Sequence, residues 1–223
     1  MNKYSTPIIT LLAILILAVL AIWLLRPSPD HSDWPMWGYD DGRRSAVDMP
    51  IPDNPALLWV RELPAPKRAW PFQYEDYYTR GNPLGIGKLS FDVSYEPVVG
   101  GGRLYVPSMV SDKVTAYSTA TGKELWSYYA GGPVRFAPVY RDGKVYFVSD
   151  DGYLYNVNAR SGRLNWKYKG SYSERTVLGN ERFISIWPAR GGPVYSDGVI
   201  YFASGILAFE GIFVHAVCAG FAR

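Results

Sequence analysis

The sequence has one cysteine, Cys218, and two histidines, His31 and His215. A single cysteine excludes an intrachain disulfide and leaves the redox compartment open. The histidines lie far apart with no third ligand in view, so neither a metal site nor a Ser-His-Asp arrangement emerges. Charge is also scarce. Charged residues make up 19% of the chain, the net charge is +3, and lysines and arginines are scattered, so nucleic acid is not an expected partner. A phosphate loop is excluded at residues 81–90, GNPLGIGKLS, where Asn82 stands in place of the first glycine and Leu89 in place of the hydroxyl residue. Asp150-Asp151-Gly152 lacks the alternating oxygens and distal glutamate of a calcium loop and reads as turn chemistry.

What is abundant points to strands and tight turns. Hydrophobic residues make up 48% and aromatics 16%, with 18 tyrosines, 8 tryptophans, 22 glycines and 17 prolines. This composition excludes disorder and favours an all-β fold.

The first thirty residues are a different material. Residues 8–25 are apolar apart from Thr10 and long enough to approach the ~30 Å of a bilayer core. The run ends in Trp23, Leu24, Leu25 and Arg26 rather than an A-x-A cleavage site, so an uncleaved anchor is expected, with secretion after signal cleavage as the alternative. Lys3 and the free amine place residues 1–7 in the cytoplasm, the anchor in the inner membrane and the rest on the periplasmic, extracytoplasmic side. Residues 26–33, RPSPDHSD, read as a short stiff tether. The folded part is expected over 34–223.

Self-alignment shows a repeat. Residues 97–106 (PVVGGGRLYV), 138–147 (PVYRDGKVYF) and 193–202 (PVYSDGVIYF) superpose, each reading as two strands around a tight turn. After the first two copies come KVTAYSTATGKELWSY (113–128) and YLYNVNARSGRLNWKY (153–168), each a strand, a turn and a strand carrying tryptophan. Four short antiparallel strands in about forty residues are the pattern of a propeller blade. Blades are expected at about 95–130, 137–170 and 192–223, the last without its outer strand.

These residues resemble the pyrroloquinoline-quinone-like β-propeller repeat, whose tryptophan-docking motif runs Ala-x-Asp-x-x-Thr-Gly-x-x-x-Trp. Ala116, Thr121, Gly122 and Trp126 match it once, and Ser161, Gly162 and Trp166 match it again. Ser118 and Asn158 stand where the family prefers Asp, and Asn156 where it prefers Ala. Residues 33–45, DWPMWGYDDGRRS, are similar to the opening of secreted members, and 56–63, ALLWVREL, to an isolated outer strand. In the third copy residues 214–223, VHAVCAGFAR, end the chain before a tryptophan, so the resemblance implies a C-terminally truncated member or a fragment. An incomplete propeller of about three blades is the expected fold.

The resemblance implies two functions of different class. One is a non-catalytic binding or scaffold module with an extracytoplasmic protein partner and self-association through open blade edges. The other is the N-terminal part of a quinoprotein alcohol or sugar dehydrogenase, which would take pyrroloquinoline quinone with calcium. The first is preferred, with no cofactor, metal or catalytic residue expected. Two irregular stretches interrupt the repeat. Residues 65–90 carry Trp70, Phe72, Tyr74, Tyr77 and Tyr78, read as a loop whose rings pack onto one face. Residues 171–190 carry Arg175 and Arg182, read as surface charges.

Overall fold

In the computed structural model, residues 33–47, 53–67, 94–179 and 182–220 are described. The apolar run 8–25, the tether up to residue 32 with His31, and the aromatic residues 70–78 fall outside them. Among the described residues no helix is long and apolar enough to cross a membrane.

Each tight turn forms where the sequence supplies residues that tolerate positive φ. Asp142-Gly143 (φ 48 and 70) joins β5 (Val139–Arg141) to β6 (Lys144–Val148), and Gly101-Gly102 (φ 58 and 72) joins β1 (Val98–Gly100) to β2 (Arg103–Ser108). Asp197-Gly198 does the same between β11 (Val194–Ser196) and β12 (Val199–Ser204). The first sheet is completed by β3 (Lys113–Ser118) and β4 (Glu124–Tyr129), the second by β7 (Tyr153–Asn158) and β8 (Leu164–Lys169). Both are antiparallel meanders of four strands in sequence order. Their last pairs shift register at matching places, between Ala116 and Tyr117 and between Asn156 and Val157. The third sheet has three strands, β11, β12 and β13 (Phe213–Cys218).

The second sheet is buried on both faces, and strand periodicity separates its side chains into two cores. Val145 and Phe147 of β6 and Tyr155 and Val157 of β7 pack toward the first sheet, against Val98, Tyr105, Val114 and Trp126. Tyr146 and Val148 of β6 and Leu154 of β7 pack toward the third, against Ile200, Phe202 and Val217. Face-to-face packing of short meanders is how successive propeller sheets bury their apolar faces.

Residues 33–45 run along the inner edges of all three sheets. Trp34 exchanges backbone hydrogen bonds with Val99, at 2.9 and 2.8 Å. The Pro35 carbonyl accepts from Tyr140 N at 2.7 Å, the Asp41 carboxylate from Ser196 Oγ at 2.7 Å, and Arg43 donates to the Gly192 carbonyl. The segment therefore supplies partners to edges that would otherwise be open.

Two sequence readings change. Residues 171–190 are not irregular throughout: β9 (Thr176–Gly179) and β10 (Arg182–Ser185) form a hairpin in which Val177 pairs with buried Ile184 and Leu178 with Phe183. Each strand carries one adjacent apolar pair, Val177-Leu178 and Phe183-Ile184, too short a pattern to read as a strand outside the repeat. Residues 56–63, read as an outer strand, form no strand ladder and are tied to the first sheet through the side chains of Trp59 and Arg61.

Candidate functional site

The recurring motif brings its residues together across sheets. Gly162 has φ +69 and lies under the indole of Trp126, so close that a Cβ there would fall 2.7 Å from the ring. Trp126 Nε1 donates to the Ala159 carbonyl at 2.9 Å, and across β3–β4 the tryptophan stands opposite fully buried Ala116. A side chain at position 162 would lift the indole off the turn, which is why glycine stands there.

The turn itself is held by short polar side chains. Asn158 Oδ1 accepts from Arg160 N, Ser161 N and Ser161 Oγ at 3.0, 3.0 and 3.1 Å. In the first sheet Ser118 Oγ accepts from Thr121 N at 3.3 Å, and Thr121 Oγ1 from Lys123 N at 3.4 Å. Asn158 and Ser118 thus bond the turn amides at positions where the resembled family prefers Asp.

Gly122 has its own tryptophan, which lies outside the repeat alignment. Trp59 covers it, with a Cβ at Gly122 falling 2.6 Å from the indole, and Trp59 Nε1 donates to the Thr119 carbonyl at 2.7 Å. Arg61 Nε donates to the Gly122 carbonyl at 2.7 Å. Trp59 therefore stands to the first sheet as Trp126 stands to the second. The spacing hides the relation: Trp126 precedes its glycine by 36 residues and Trp59 precedes its glycine by 63.

Trp166, half-buried, sits with its ring centroid 6.0 Å from Tyr146 and packs against the core between the second and third sheets. Tyr146 donates its hydroxyl to the Ala219 carbonyl at 3.0 Å, and burial pushes that phenol up to about 12. Its counterpart Tyr105 is fully buried and its hydroxyl has no partner among the described residues; in the equivalent place the Ala159 carbonyl accepts from the Trp126 indole. Asn156, at the motif's alanine position, is also fully buried and accepts from Asn165.

A second cluster lies where chain connections enter the sheets. The Asp150 carboxylate, fully buried, accepts from Arg135 Nε at 2.7 Å and from Arg190 Nε and Nη2 at 3.0 and 3.1 Å. The two arginines stand three residues before Pro138 and Pro193, so they are repeat-related and converge on one anion. Arg135 also donates to the Lys67 carbonyl at 3.1 Å. The turn reading of Asp150-Asp151-Gly152 agrees with the backbone, in which Gly152 has φ +88, but it missed this double clamp. Matching arginine offsets were the available signal.

Beside it, Arg182 of β10 reaches over to the first sheet, pairing with Asp112 and donating to the Val110 carbonyl at 2.6 Å. Burial raises the Asp112 carboxyl above the usual range, and the Arg182 charge opposes that shift. Arg175 pairs with Glu210 at 3.2 Å, whose carbonyl also accepts from Trp187 Nε1 at 2.7 Å. Both arginines are ion-paired: Arg175 stays 59% exposed, as a surface charge, while Arg182 is more covered at 27%. His215 lies 4.6 Å from Phe202 in a stacked arrangement, with Nε2 3.0 Å from Ser204 Oγ and 3.1 Å from the Gly170 carbonyl. Burial lowers its pKa. Among the described residues no three acidic, histidine or cysteine side chains gather as a metal site.

The fold and its repeated tryptophan-on-glycine contact define an all-β, propeller-type protein built from antiparallel sheets. Residues 49–205 match the family described as outer membrane protein assembly factor BamB, and the chain belongs to it. Among curated proteins it is similar to the dehydrogenase subunit of alcohol dehydrogenase (quinone) from Komagataeibacter europaeus, 30% identical over 190 residues, covering 79% of this chain and 22% of that protein. The same subunit from Gluconobacter oxydans (strain 621H) is 28% identical over 145 residues, covering 56% of this chain and 18% of that protein. The chain thus spans about a fifth of the length of the curated relatives it matches. Among solved structures, quinohemoprotein alcohol dehydrogenase from Comamonas testosteroni superposes with a TM-score of 0.58 at 19% identity, over 90% of this chain and 28% of that one. The ADHIIG enzyme from Pseudomonas putida HK5 gives 0.52 at 18%, over 86% and 26%. These structures share the fold.

Proposed function

We propose that this chain is a non-catalytic binding and scaffold module, a partial propeller of about three blades held on the extracytoplasmic side of the inner membrane by residues 8–25. In this reading Ala116, Thr121, Gly122, Trp126, Ser161, Gly162 and Trp166 fasten blade to blade. The observation that carries it is residues 56–63. Trp59 is docked as a blade-fastening tryptophan, while Leu57, Leu58 and Val60 stand 84%, 77% and 79% exposed beside it. A row of apolar side chains in solvent, on a segment already held in place, is the mark of a contact surface. The Asp150 cluster fits the same role. A carboxylate clasped by two guanidinium groups braces the connections into the second and third sheets.

A second reading has its own support. The 190-residue match to quinone alcohol dehydrogenase subunits favours a portion of a quinoprotein oxidoreductase. Titrating the full chain with pyrroloquinoline quinone and calcium, followed by tryptophan fluorescence, separates the two. The module reading expects no saturable change; saturation at one cofactor per chain would replace it with the second reading.

A further inference from the structure

Among the described residues β9 and β10 are the one pair of strands outside the repeat. From β4 to β5 the chain crosses between sheets in residues 130–138, whereas from β8 to β11 it takes residues 170–193 and builds this hairpin on the way. The hairpin meets the corresponding connection of every sheet. Arg182 pairs with Asp112 and donates to the Val110 carbonyl at 2.6 Å, between β2 and β3. Ser185 N turns away from β9 and donates to the Asp150 carbonyl at 2.9 Å, between β6 and β7. Arg175, next to β9, pairs with Glu210 at 3.2 Å, between β12 and β13.

The hairpin is held more weakly than what it covers. Two strands alone are marginally stable in water. Of the large apolar side chains in β9 and β10 only Ile184 is buried, while Val177, Leu178 and Phe183 are exposed. Both ion pairs are partly exposed, so salt screens them. Beneath lies the turn that carries Asp150, whose buried charge Arg135 and Arg190 share. The fit to that turn is close, since a Cβ at Gly152 would fall 3.0 Å from Ser185 Oγ and from the Trp187 carbonyl. β6 and β7, on either side of the turn, are enclosed by two cores. An element with one buried apolar anchor and two screened ion pairs has a lower opening free energy than strands of that kind.

We propose that β9 and β10 form a salt-sensitive strap, closed over the Asp150 clamp by the Arg182–Asp112 and Arg175–Glu210 pairs, which opens as a unit while the three sheets stay folded. Closed, the strap links the first sheet to the third, which lie on opposite faces of the second, and keeps water from the clamp. Open, it gives up the Ser185–Asp150 bond, bares Ile184 and lets solvent reach the carboxylate that two arginines share. Raising the ionic strength weakens both closing pairs and leaves the apolar cores of the sheets intact, so the open fraction rises with salt. The strap is independent of whether the chain binds a protein or a quinone.

The test is thiol labelling of Ile184→Cys in the intact chain, with Cys218→Ser as background, because a thiol at that buried position reacts only when the strap is open. Labelling by an uncharged maleimide is expected to be on the order of tenfold faster at about 1 M than at about 0.01 M salt. Val145→Cys, in the core between the first and second sheets, should stay unlabelled at both. Adding Arg182→Gln to Ile184→Cys should speed labelling at low salt and remove much of its salt dependence. Hydrogen exchange of the unaltered chain keeps the test valid if Ile184→Cys itself loosens the hairpin: amides of β9 and β10 should exchange faster at high salt, and those of β6 and β7 at an unchanged slow rate. Labelling and exchange in the strap that ignore salt, or an equal acceleration in β6 and β7, overturn the proposal.

Discussion

Gly143 and Gly162 have φ of +70 and +69, so an alanine at either carries a similar left-handed backbone cost of roughly 1–2 kcal/mol. Only at Gly162 does the added Cβ meet a ring. Gly162→Ala is therefore expected to lose a further ~1–3 kcal/mol relative to Gly143→Ala in urea unfolding; equal losses would mean that Trp126 is not closely seated. The tyrosine pair gives changes of opposite sign. Tyr146→Phe should lose about 1 kcal/mol with its bond to Ala219, whereas Tyr105→Phe removes a buried hydroxyl without a described partner and should be neutral or stabilising. At this scale the sequence was readable where one position decides the backbone, as at Gly122, Gly162 and the Asp-Gly turns. The Arg135–Asp150–Arg190 clamp was not, since arginine and aspartate are ordinary surface residues until the fold brings them together.

Among elements, the meanders were legible because pairs of strands recur with the same turn chemistry, while the β9–β10 hairpin occurs once and has no second copy to reveal it. Residues 56–63 read as an outer strand by composition and are not one, because composition does not say whether an inner strand lies beside them. The clamp belongs to this scale because it joins the connections into the second and third sheets. Asp150→Asn removes the buried charge that Arg135 and Arg190 share and should cost about 3–5 kcal/mol in chemical unfolding; a loss below 1 kcal/mol would make the cluster incidental. β13 carries a pH dependence. His215 titrates below its ordinary value of 6.5 when folded, so its contribution is intact above 6.5 and is lost as pH falls through the lower folded value. The melting temperature of the native chain should fall on acidification from pH 7 to 5 by more than that of His215→Gln; parallel profiles would contradict the assignment.

For the whole molecule, repeat period and family were readable from the sequence, and what the sheets leave uncovered was not. Among the described residues Leu57, Leu58, Val60 and Val214 stand exposed, while the second sheet is enclosed between the first and the third. That arrangement makes association the central expectation for this chain. Its most direct test is the native mass of the intact chain by light scattering across a dilution series, with any detergent contribution subtracted. The account predicts about twice 25.0 kDa, falling toward 25.0 kDa on dilution and at lower concentration when Leu57, Leu58 and Val60 are all changed to Ser. A single species at 25.0 kDa at every concentration, with or without those changes, would contradict it.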